Sequence, residues 1–215
     1  RGPSGAWDPH RWLCGDLALM IRVVLASRNA KKIAEVRRIL DQAGAPIQLI
    51  GLSDLEVEVT DVPETGATFA ENALIKAQSV VDQTGLPALA DDSGLTVEAL
   101  NGMPGVLSAR WSGAHGDDVA NLNLVLNQIA DVPDERRGAA FVCAVVLVVP
   151  GAEPQAAEGV VTGHLLREPV GENGFGYDPV FVPDGYDITT AQMSADQKDS
   201  LSHRGRALRA LASAL

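Results

Sequence analysis

Short apolar runs alternate with helical patterns along most of this 215-residue chain. The first apolar run, at residues 21–26, predicts a buried strand, and a polar turn at residues 27–29 follows it. Apolar residues then recur at helical spacing, which predicts a helix over residues 30–43 that ends at Gly44. Because a strand that leads through a turn into a helix is the building unit of α/β folds, we expect a sheet covered by helices.

The alternation continues to the C-terminus. The run at residues 139–149 is rich in Val, which favours a strand over a buried helix, and its 11 residues fall short of the roughly 18 that a membrane span needs. The other predicted elements are strands at residues 47–50, 86–90 and 95–100, a hairpin partner at residues 156–166, and helices at residues 68–84, 117–130 and 189–215, the last with a break near Ser202. Since one pair looks antiparallel, these elements predict an α/β fold with a mixed twisted sheet flanked by helices.

The first 19 residues stand apart from this pattern. Asp8, Arg11 and Asp16 interrupt the apolar core that a signal peptide would need. We therefore expect residues 1–19 to be an extension outside the fold and residues 20–215 to form a single domain. Because the apolar runs are too short for a membrane, we expect a cytoplasmic protein with no membrane partner.

The chain is acidic overall, with 17 Lys and Arg residues against 28 Asp and Glu residues and a formal charge of −11. A broad nucleic-acid surface requires an excess of cations facing phosphates, so the composition argues against one. Two segments depart from the average. Residues 28–38 hold five cations and one anion (+4), and residues 198–209 hold four cations and one anion (+3). Cations gathered in this way suit a small polyphosphate ligand.

The segment from Ser27 to Lys32 joins the first predicted strand to the first predicted helix. Free backbone N–H groups and the helix dipole favour an anion at a helix start. Ser27 and Asn29 add neutral donors, and Lys32 adds a point charge suited to phosphate. The segment lacks the glycines of a Walker A loop, and it fits an ordinary N-cap beside a basic helix face equally well.

Two adjacent carboxylates, Asp91 and Asp92, follow a predicted strand and precede Ser93 and Gly94. Consecutive side chains in a strand or tight turn point in different directions, so we expect one carboxylate to face a given ligand. That carboxylate suits Mg²⁺, which takes one or two carboxylates together with waters and phosphates, or it suits removal of a proton from an attacking water. Taken alone, the four residues favour a turn.

The segment from Gly174 to Pro179 places Phe175 and Tyr177 beside glycines in a chain with only 4% aromatic residues. Glycines let the backbone approach a ligand closely, and an aromatic face can stack on a base. The glycines are not a dinucleotide fingerprint, because no strand-to-helix context follows them. A turn with packed aromatic side chains is the alternative, and ligand contact is favoured.

A second cationic cluster near the C-terminus contains Lys198, His203, Arg204 and Arg206. Arg offers a fork of donors, and His offers a donor or an acceptor, so both suit carbonyl edges or phosphates. A basic helix face that balances acidic neighbours is the alternative for this cluster.

Seven short motifs, each weak alone, occur together in one order. They are residues 27–32, Glu64-Thr65-Gly66, residues 69–73 with Lys76, residues 90–94, residues 104–111, residues 174–179 and Ser202-His203-Arg204-Gly205. In this order they closely resemble the inosine-triphosphate pyrophosphatases, from about Ile21 to the C-terminus. The first motif departs from the family pattern, since Ser27 and Arg28 stand where Thr and Gly are frequent.

The resemblance implies a Mg²⁺-dependent hydrolysis of ITP, dITP or XTP to the nucleoside monophosphate and pyrophosphate. Such an activity removes these nonstandard purine nucleotides from the nucleotide pool. The resemblance also implies a homodimer of two-lobed α/β chains with a central nucleotide cleft, and no nucleic-acid partner.

Roles for individual residues follow from the same resemblance. Asp92 would be the general base and a metal-linked carboxylate, with Glu64 as the expected second metal ligand and Asp91 as the alternative. The residues expected to contact the phosphates are Ser27, Arg28, Asn29, Ala30, Lys31 and Lys32, helped by Lys76 and Ser93. The residues expected to enclose the purine are Phe175, Gly176, Tyr177 and Asp178, with Lys198, His203 and Arg204 also contacting the nucleotide.

Two other classes of function are compatible with parts of the sequence. A non-catalytic nucleotide-binding protein would use the same cations and aromatic residues, but carboxylates beside phosphates serve little purpose there unless a metal is present. A structural interaction domain explains the composition but not the joint occurrence of the motifs.

Overall fold

Helices and strands alternate in the computed structural model, which describes residues 20–214. The strands are β1 (Ile21–Leu25), β2 (Ile47–Gly51), β3 (Ala88–Val97), β4 (Gly138–Val148), β5 (Gln155–Leu165) and β6 (Phe181–Pro183). The helices are α1 (Ala30–Gln42), α2 (Phe69–Thr84), α3 (Asp118–Gln128), α4 (Ala195–Leu201) and α5 (His203–Ala212). The predicted alternation of strands and helices is therefore confirmed across the described part of the chain, although two of the predicted strands are one strand, β3, and β6 was not predicted.

The strands of the described residues form one six-stranded sheet with the order β2-β1-β3-β4-β5-β6. β1 pairs in parallel with both β2 and β3, whereas β5 pairs antiparallel with β6. β4 and β5 are neighbours in the sheet, as the predicted hairpin requires. The prediction of an α/β fold with a mixed sheet and helices is confirmed.

Helix α1 begins directly after the polar turn that follows β1. Asn29 is its N-cap, and the Asn29 side-chain oxygen accepts a hydrogen bond from the Lys32 N–H at 3.1 Å. This bond satisfies one of the N–H groups that a helix start leaves without an intrahelical partner. The N-cap that the sequence offered for this segment is thus present.

Helix α2 begins after Thr68, whose hydroxyl oxygen accepts a hydrogen bond from the Glu71 N–H at 3.1 Å. The spacing of Thr68 and Glu71 is that of a capping box, but the box is only half formed, because the Glu71 carboxylate accepts from the Ala67 N–H at 2.6 Å rather than from Thr68 itself. The carboxylate still satisfies a backbone donor at the helix start, one residue earlier than expected. Gly85 ends the helix in the left-handed conformation, with φ of +68°.

The predicted break between two strands at residues 91–94 is wrong. β3 runs without interruption through these residues, and the strand expected at residues 95–100 ends at Val97 and gives way to a 3₁₀ turn at Glu98–Leu100. The two Asp residues of this segment are only 3% and 8% exposed. Asp, Ser and Gly favour turns in isolation, but pairing inside the sheet overrides that local preference.

The described chain divides into two compact units. Unit 1 comprises residues 20–91, 145–157 and 208–214, and unit 2 comprises residues 92–144 and 158–207. Each unit has its own apolar core, so each can hold polar side chains in place by itself. Representative core residues are Val24, Ala73, Val80 and Val146 in unit 1 and Leu95, Val125, Phe141 and Phe181 in unit 2.

The C-terminal helical region is shorter than predicted. Residues 189–194 form turns, because α4 starts only after a capping box between Ser194 and Gln197. The predicted break at Ser202 is confirmed, and the Ser202 hydroxyl oxygen accepts a hydrogen bond from the Gly205 N–H at 2.9 Å at the start of α5.

No helix within residues 20–214 is both long enough and apolar enough to cross a membrane. The expectation that residues 1–19 are an extension outside the fold concerns residues that lie outside the described part of the chain.

Candidate active site

The turn between β1 and α1 in unit 1 is held by its own polar side chains. The Ser27 hydroxyl oxygen accepts a hydrogen bond from the Asn29 N–H at 3.2 Å, and Asn29 in turn caps the helix. Arg28, Asn29, Ala30 and Lys31 are all exposed to solvent. The start of α1 therefore has a fixed backbone shape, and a helix start of this kind can bind an anion through its N–H groups.

Arg28 extends away from this turn toward residues 59–61 of the same unit. Its Nε lies 3.2 Å from Asp61 Oδ1, and its Nη2 donates to the carbonyl oxygen of Val59 at 2.5 Å. The guanidinium is therefore accommodated where the resembling family frequently has glycine. Because the Arg28 and Asp61 side chains are more than half exposed, this ion pair contributes little to stability.

Lys32, on the first turn of α1, faces a buried carboxylate. Its Nζ lies 3.2 Å from Asp91 Oδ2, and the Asp91 side chain is almost completely buried. Leaving such a carboxylate without a counter-charge inside the protein would be costly, so the lysine and Asp91 depend on each other. The pair joins the predicted phosphate-binding turn to the acidic end of the β3 segment in unit 1.

A second lysine–carboxylate pair in unit 1 forms between Lys76 Nζ and Glu64 Oε1, at 2.9 Å. The loop that carries Glu64 is fixed to α2, because the buried Asn72 accepts a hydrogen bond from the Gly66 N–H at 2.8 Å. A Cβ at Gly66 would lie 2.6 Å from the Glu71 Cβ, so the close approach of loop and helix requires glycine. Asn72 and Lys76 are four residues apart on α2 and therefore share a face.

Asp92 is the residue that follows Asp91 on β3 and the first residue of unit 2. Consecutive side chains on a regular strand point to opposite faces, so the Asp92 side chain is expected on the other face from the Asp91 carboxylate that meets Lys32.

The carboxylates of Glu64, Asp91 and Asp92 have the donor chemistry that Mg²⁺ prefers. Within residues 20–214, no group of three or more His, Cys, Asp or Glu side chains is arranged to hold a metal ion by itself. Mg²⁺ is normally bound by one or two carboxylates together with waters and substrate phosphates rather than by a complete protein cage. The chemistry of each carboxylate is therefore compatible with a metal ion that arrives with a polyphosphate.

Unit 2 contains a pocket with a cavity volume of about 100 Å³. Every site residue that the sequence predicts in unit 2, apart from Asp92, lines it. These residues are Ser93, Phe175, Gly176, Tyr177, Asp178, Lys198, His203 and Arg204. Residues that are up to 111 positions apart in the sequence thus form one pocket.

Asp178 organises this pocket through both of its carboxylate oxygens. Asp178 Oδ2 accepts from the Phe175 N–H at 2.8 Å and lies 2.6 Å from Lys198 Nζ, and Asp178 Oδ1 accepts from the Thr190 hydroxyl at 2.8 Å. The residue is only 3% exposed. Because three donors satisfy it, we infer that its carboxylate fixes the loop and the lysine rather than binding the base directly.

Two cations lie close to the Phe175 ring. Lys198 Nζ is 4.9 Å and Arg204 Cζ is 6.0 Å from the ring centroid. Arg204 is 1% exposed, and its Nη2 donates to the Ser93 hydroxyl oxygen at 3.0 Å. Favourable cation–π contacts of this kind orient the ring and the cations on one side of the pocket.

His203, the first residue of α5, is oriented by an aromatic stack. Its ring lies 5.0 Å from the Phe141 ring with an interplanar angle of 19°, and Phe141 in turn contacts Phe181 with centroids 4.5 Å apart. The stack directs an imidazole, which can donate or accept hydrogen bonds, to the edge of the pocket.

Tyr177 contributes a buried ring and a buried hydroxyl group. Its hydroxyl donates to the carbonyl oxygen of Ser108 at 2.9 Å. Burial, and secondarily the negative charge of Asp118, raises the pKa of Tyr177 well above its ordinary value. The phenol therefore stays protonated at neutral pH and acts as a fixed donor to the backbone.

The comparisons with known proteins identify the family of the chain. The model of the Ham1 family matches residues 23–214. This chain belongs to the Ham1 family. A relative from Nocardia farcinica named dITP/XTP pyrophosphatase is 62% identical over 197 residues, which are 91% of this chain and 95% of the relative.

Solved structures of the Ham1 family match the fold. A nucleoside-triphosphatase / dITP/XTP pyrophosphatase from Mycobacterium abscessus is 55% identical, with a TM-score of 0.74 over 91% of this chain and 99% of that chain. A HAM1 protein from Coxiella burnetii is 43% identical, with a TM-score of 0.82 over 91% of this chain and 98% of that chain. The resemblance inferred from the motifs is thus confirmed at the level of the family.

The pocket of this Ham1 chain also contains residues to which the sequence assigned no role. They are Gly94, Ser108, Ala109, Asp118, Asn121 and Phe141. Ser108 and Ala109 lie in the motif at residues 104–111, which is part of the family resemblance, so the sequence did contain an indication that they belong to the site. Phe141 lies inside an apolar run, and Asp118 and Asn121 lie at the start of a predicted helix, where nothing local indicates a pocket.

Asn121 shows how α3 shapes one wall of the pocket. Its side-chain oxygen accepts from the Ser112 N–H at 2.7 Å, and its side-chain nitrogen donates to the carbonyl oxygen of Ala109 at 3.2 Å. On the opposite side of this segment, Ser108 Oγ accepts from the Leu95 N–H at 2.9 Å. The segment that lines the pocket is therefore tied both to a helix and to β3.

Proposed function

We propose that this chain hydrolyses nonstandard purine nucleoside triphosphates, namely ITP, dITP and XTP, to the nucleoside monophosphate and pyrophosphate. The observation that carries the proposal is the pocket of unit 2, which combines the Phe175 ring with the cations Lys198 and Arg204 and with His203. A ring that can stack on a base, surrounded by donors, suits a purine with keto groups. The dITP/XTP pyrophosphatases at 54–62% identity support the same substrate class.

Asp92 is the proposed general base. It accepts a proton from a water molecule as the water oxygen forms a bond to the α-phosphorus. The bond between the α-phosphorus and the bridging oxygen breaks, and pyrophosphate leaves with the electron pair. Asp92 suits this task because it is a carboxylate that is only 8% exposed, and a carboxylate can take a proton from a water molecule beside it.

The proposed cofactor is Mg²⁺, with Asp92 and Glu64 as its protein ligands and Asp91 as the alternative to Glu64. When bound, Mg²⁺ neutralises charge on the polyphosphate and stabilises the pyrophosphate leaving group. Lys76 contacts Glu64 in unit 1 and supplies positive charge of its own beside that carboxylate.

The phosphate contacts are assigned to the start of α1 and to two lysines of unit 1. Backbone N–H groups at the helix start, with the side chains of Ser27 and Asn29, bind phosphate oxygens. Lys32 and Lys76 add positive charge where negative charge develops on the leaving group. Lys31 is exposed and adds to the positive potential at the same helix end, and Arg28 can add to it only if a phosphate replaces Asp61 as its partner.

Selectivity for a keto purine follows from donors in the unit 2 pocket. Arg204 and His203 can donate hydrogen bonds to a 6-keto oxygen, which hypoxanthine and xanthine provide. Adenine would place an amino group against those donors. An unsatisfied buried donor costs about 1–3 kcal/mol, which corresponds to roughly tenfold to hundredfold discrimination for each group.

A product assay tests the proposal directly. Incubation with ITP, dITP or XTP and Mg²⁺ is expected to yield the monophosphate and pyrophosphate in equal amounts, with little turnover of ATP. Stepwise phosphatase action would release orthophosphate instead, and a non-catalytic nucleotide-binding protein would bind without turnover. Either of those outcomes contradicts the proposal.

We also propose that the chain is a cytoplasmic homodimer that binds no nucleic acid. Light scattering coupled to size-exclusion chromatography would report a mass of twice 22.5 kDa. A monomeric mass under assay conditions would contradict the dimer without affecting the assignment of the reaction.

A further inference from the structure

Asp118, at the start of α3, makes a contact that the proposed reaction does not yet explain. Its Oδ2 accepts a hydrogen bond from the Gly176 N–H at 2.8 Å, across 58 positions in the sequence. The residue is exposed to solvent and also lines the unit 2 pocket. The carboxylate therefore connects a helix end to the loop that carries the aromatic ring of the pocket.

The loop at residues 174–176 depends on contacts of this kind for its shape. Gly174 and Gly176 both have positive φ angles, of +79° and +62°, on either side of Phe175. Glycine adopts such conformations easily, but it also leaves them easily, because it has the greatest backbone freedom of any residue. A loop that places an aromatic ring between two such glycines needs external ties to hold that ring in one direction.

Two carboxylates provide these ties to consecutive amides. The Phe175 N–H donates to Asp178, and the Gly176 N–H donates to Asp118, each at 2.8 Å. Hydrogen bonds to an ionised carboxylate are stronger than neutral ones. The two peptide planes that flank the Phe175 side chain are thus both held, one from within the loop and one from α3.

The capping of α3 does not account for Asp118, because the neighbouring residue provides the cap. Asp117 is the N-cap, and its Oδ1 accepts from the Ala120 N–H at 3.0 Å. Asp117 and Asp118 are both exposed carboxylates at one helix start, but one bonds to its own helix and the other to the pocket loop. This difference separates a role in helix stability from a role in the pocket.

We propose that Asp118 is a positioning residue that holds Phe175 over the base pocket and so sets the affinity for the purine. The proposal rests on the proposed function, because the base is the ligand that Phe175 would contact. Asp118 bonds to the loop backbone, and the proposed reaction assigns it no contact with the reacting phosphate, so its loss is expected to act on substrate binding rather than on turnover.

The experiment compares D118A, D118N and the matched control D117A. Because one charge-assisted hydrogen bond is lost, D118A is expected to raise KM for dITP about tenfold while kcat changes by less than about twofold. D118N keeps an oxygen acceptor and is expected to recover most of the lost affinity. D117A is expected to lower the melting temperature through loss of the cap without raising KM. An unchanged KM in D118A, or an equal rise in D117A, would overturn the proposal.

A second measurement keeps this test separate from the proposed function. Hydrogen exchange of the Gly176 amide, followed by NMR on the wild type and on D118A, reports the hydrogen bond without any substrate. Faster exchange of this amide in D118A, with the amides of α3 unchanged, supports the positioning role, and equal exchange in both proteins overturns it. Absence of turnover in the wild type would instead contradict the proposed function, and the exchange result would still decide whether Asp118 holds the Gly176 amide.

Discussion

The two units treat their lysine–carboxylate pairs differently. In unit 1, Lys32 lies 3.2 Å from Asp91, and Lys76 lies 2.9 Å from Glu64. In unit 2, Asp178 is bonded to Lys198 and also to the Phe175 N–H and the Thr190 hydroxyl. The pairs of unit 1 join groups that the proposed reaction requires for phosphate and metal, whereas the pair of unit 2 is part of a network that supports a loop.

This difference indicates two uses for the same chemical pair. A lysine beside a carboxylate that also suits a metal can exchange that carboxylate for a phosphate when a metal–nucleotide complex binds. The carboxylate then neutralises the lysine in the free protein, and the phosphate of the substrate takes its place in the complex. The Asp178 carboxylate accepts hydrogen bonds from the Phe175 N–H and the Thr190 hydroxyl as well as from Lys198. A ligand that displaced it would break all three hydrogen bonds, so the unit 2 pair is expected to persist throughout the reaction.

The largest effect on activity is expected at Asp91 and Asp92, which are the last residue of the first segment of unit 1 and the first residue of unit 2. Asp92→Asn removes the proposed base, and general-base catalysis is typically worth about 10²–10⁴-fold, so kcat should fall by that factor. Asp91→Asn, the matched control, should act chiefly on KM, because Asp91 holds Lys32. Steady-state kinetics with dITP measure both. Full activity of Asp92→Asn would remove that residue from the mechanism.

A smaller effect is expected when the Asp178–Lys198 pair and the Glu64–Lys76 pair are compared by their contributions to the free energy of unfolding. Asp178→Asn breaks a buried network and should cost about 3 kcal/mol in the free energy of unfolding, measured by urea denaturation. Glu64→Gln breaks a pair that is partly exposed and should cost less than about 1 kcal/mol, but it should raise the Mg²⁺ concentration needed for half-maximal activity. Equal losses of stability in the two variants would contradict the distinction between exchangeable and persistent pairs.

The smallest effect concerns the Tyr177 hydroxyl in the unit 2 network. Tyr177→Phe removes the hydrogen bond to the Ser108 carbonyl and should cost about 1 kcal/mol at pH 8. The pKa of Tyr177 is raised in the folded state, so its stabilising contribution is complete below the ordinary tyrosine pKa of about 10 and is lost as the pH rises toward the folded value. The stability difference of about 1 kcal/mol between wild type and Tyr177→Phe should therefore fall by about 1.4 kcal/mol between pH 8 and pH 11, which would leave Tyr177→Phe slightly more stable than the wild type at pH 11.

Denaturation curves of both proteins at the two pH values check this sign. A stability difference that grows with pH would mean that the folded state favours the ionised phenol, contrary to the burial of the ring.

Local signals in the sequence were sufficient for most element boundaries. Asn29, Thr68 and Asp117 each precede a helical pattern, and each accepts a hydrogen bond from a backbone N–H three residues later. Because an N-cap hydrogen bond involves only residues that are close in the sequence, the local sequence is sufficient to predict where these helices begin. The same holds for the break at Ser202.

Features that depend on distant contacts were not predictable in this way. The continuity of β3 through residues 91–94 depends on its neighbours in the sheet, although the four residues favour a turn locally. The roles of Asp118 and Phe141 in the pocket arise from tertiary packing, since neither residue has a distinctive sequence context. Residues within the resembling motifs were found because several weak patterns occurred together.

The regular alternation of side chains along β3 also limits which length changes this gene can tolerate. Loops on the protein surface accept added residues at little cost, but a strand does not, because every residue beyond an insertion turns to the other face of the sheet. One codon gained between Ala88 and Asp91 would move a different residue into the position that Asp91 now holds and so remove the acidic partner of Lys32 at one step. Natural variation in length is therefore expected in the loops around the sheet and not in this strand.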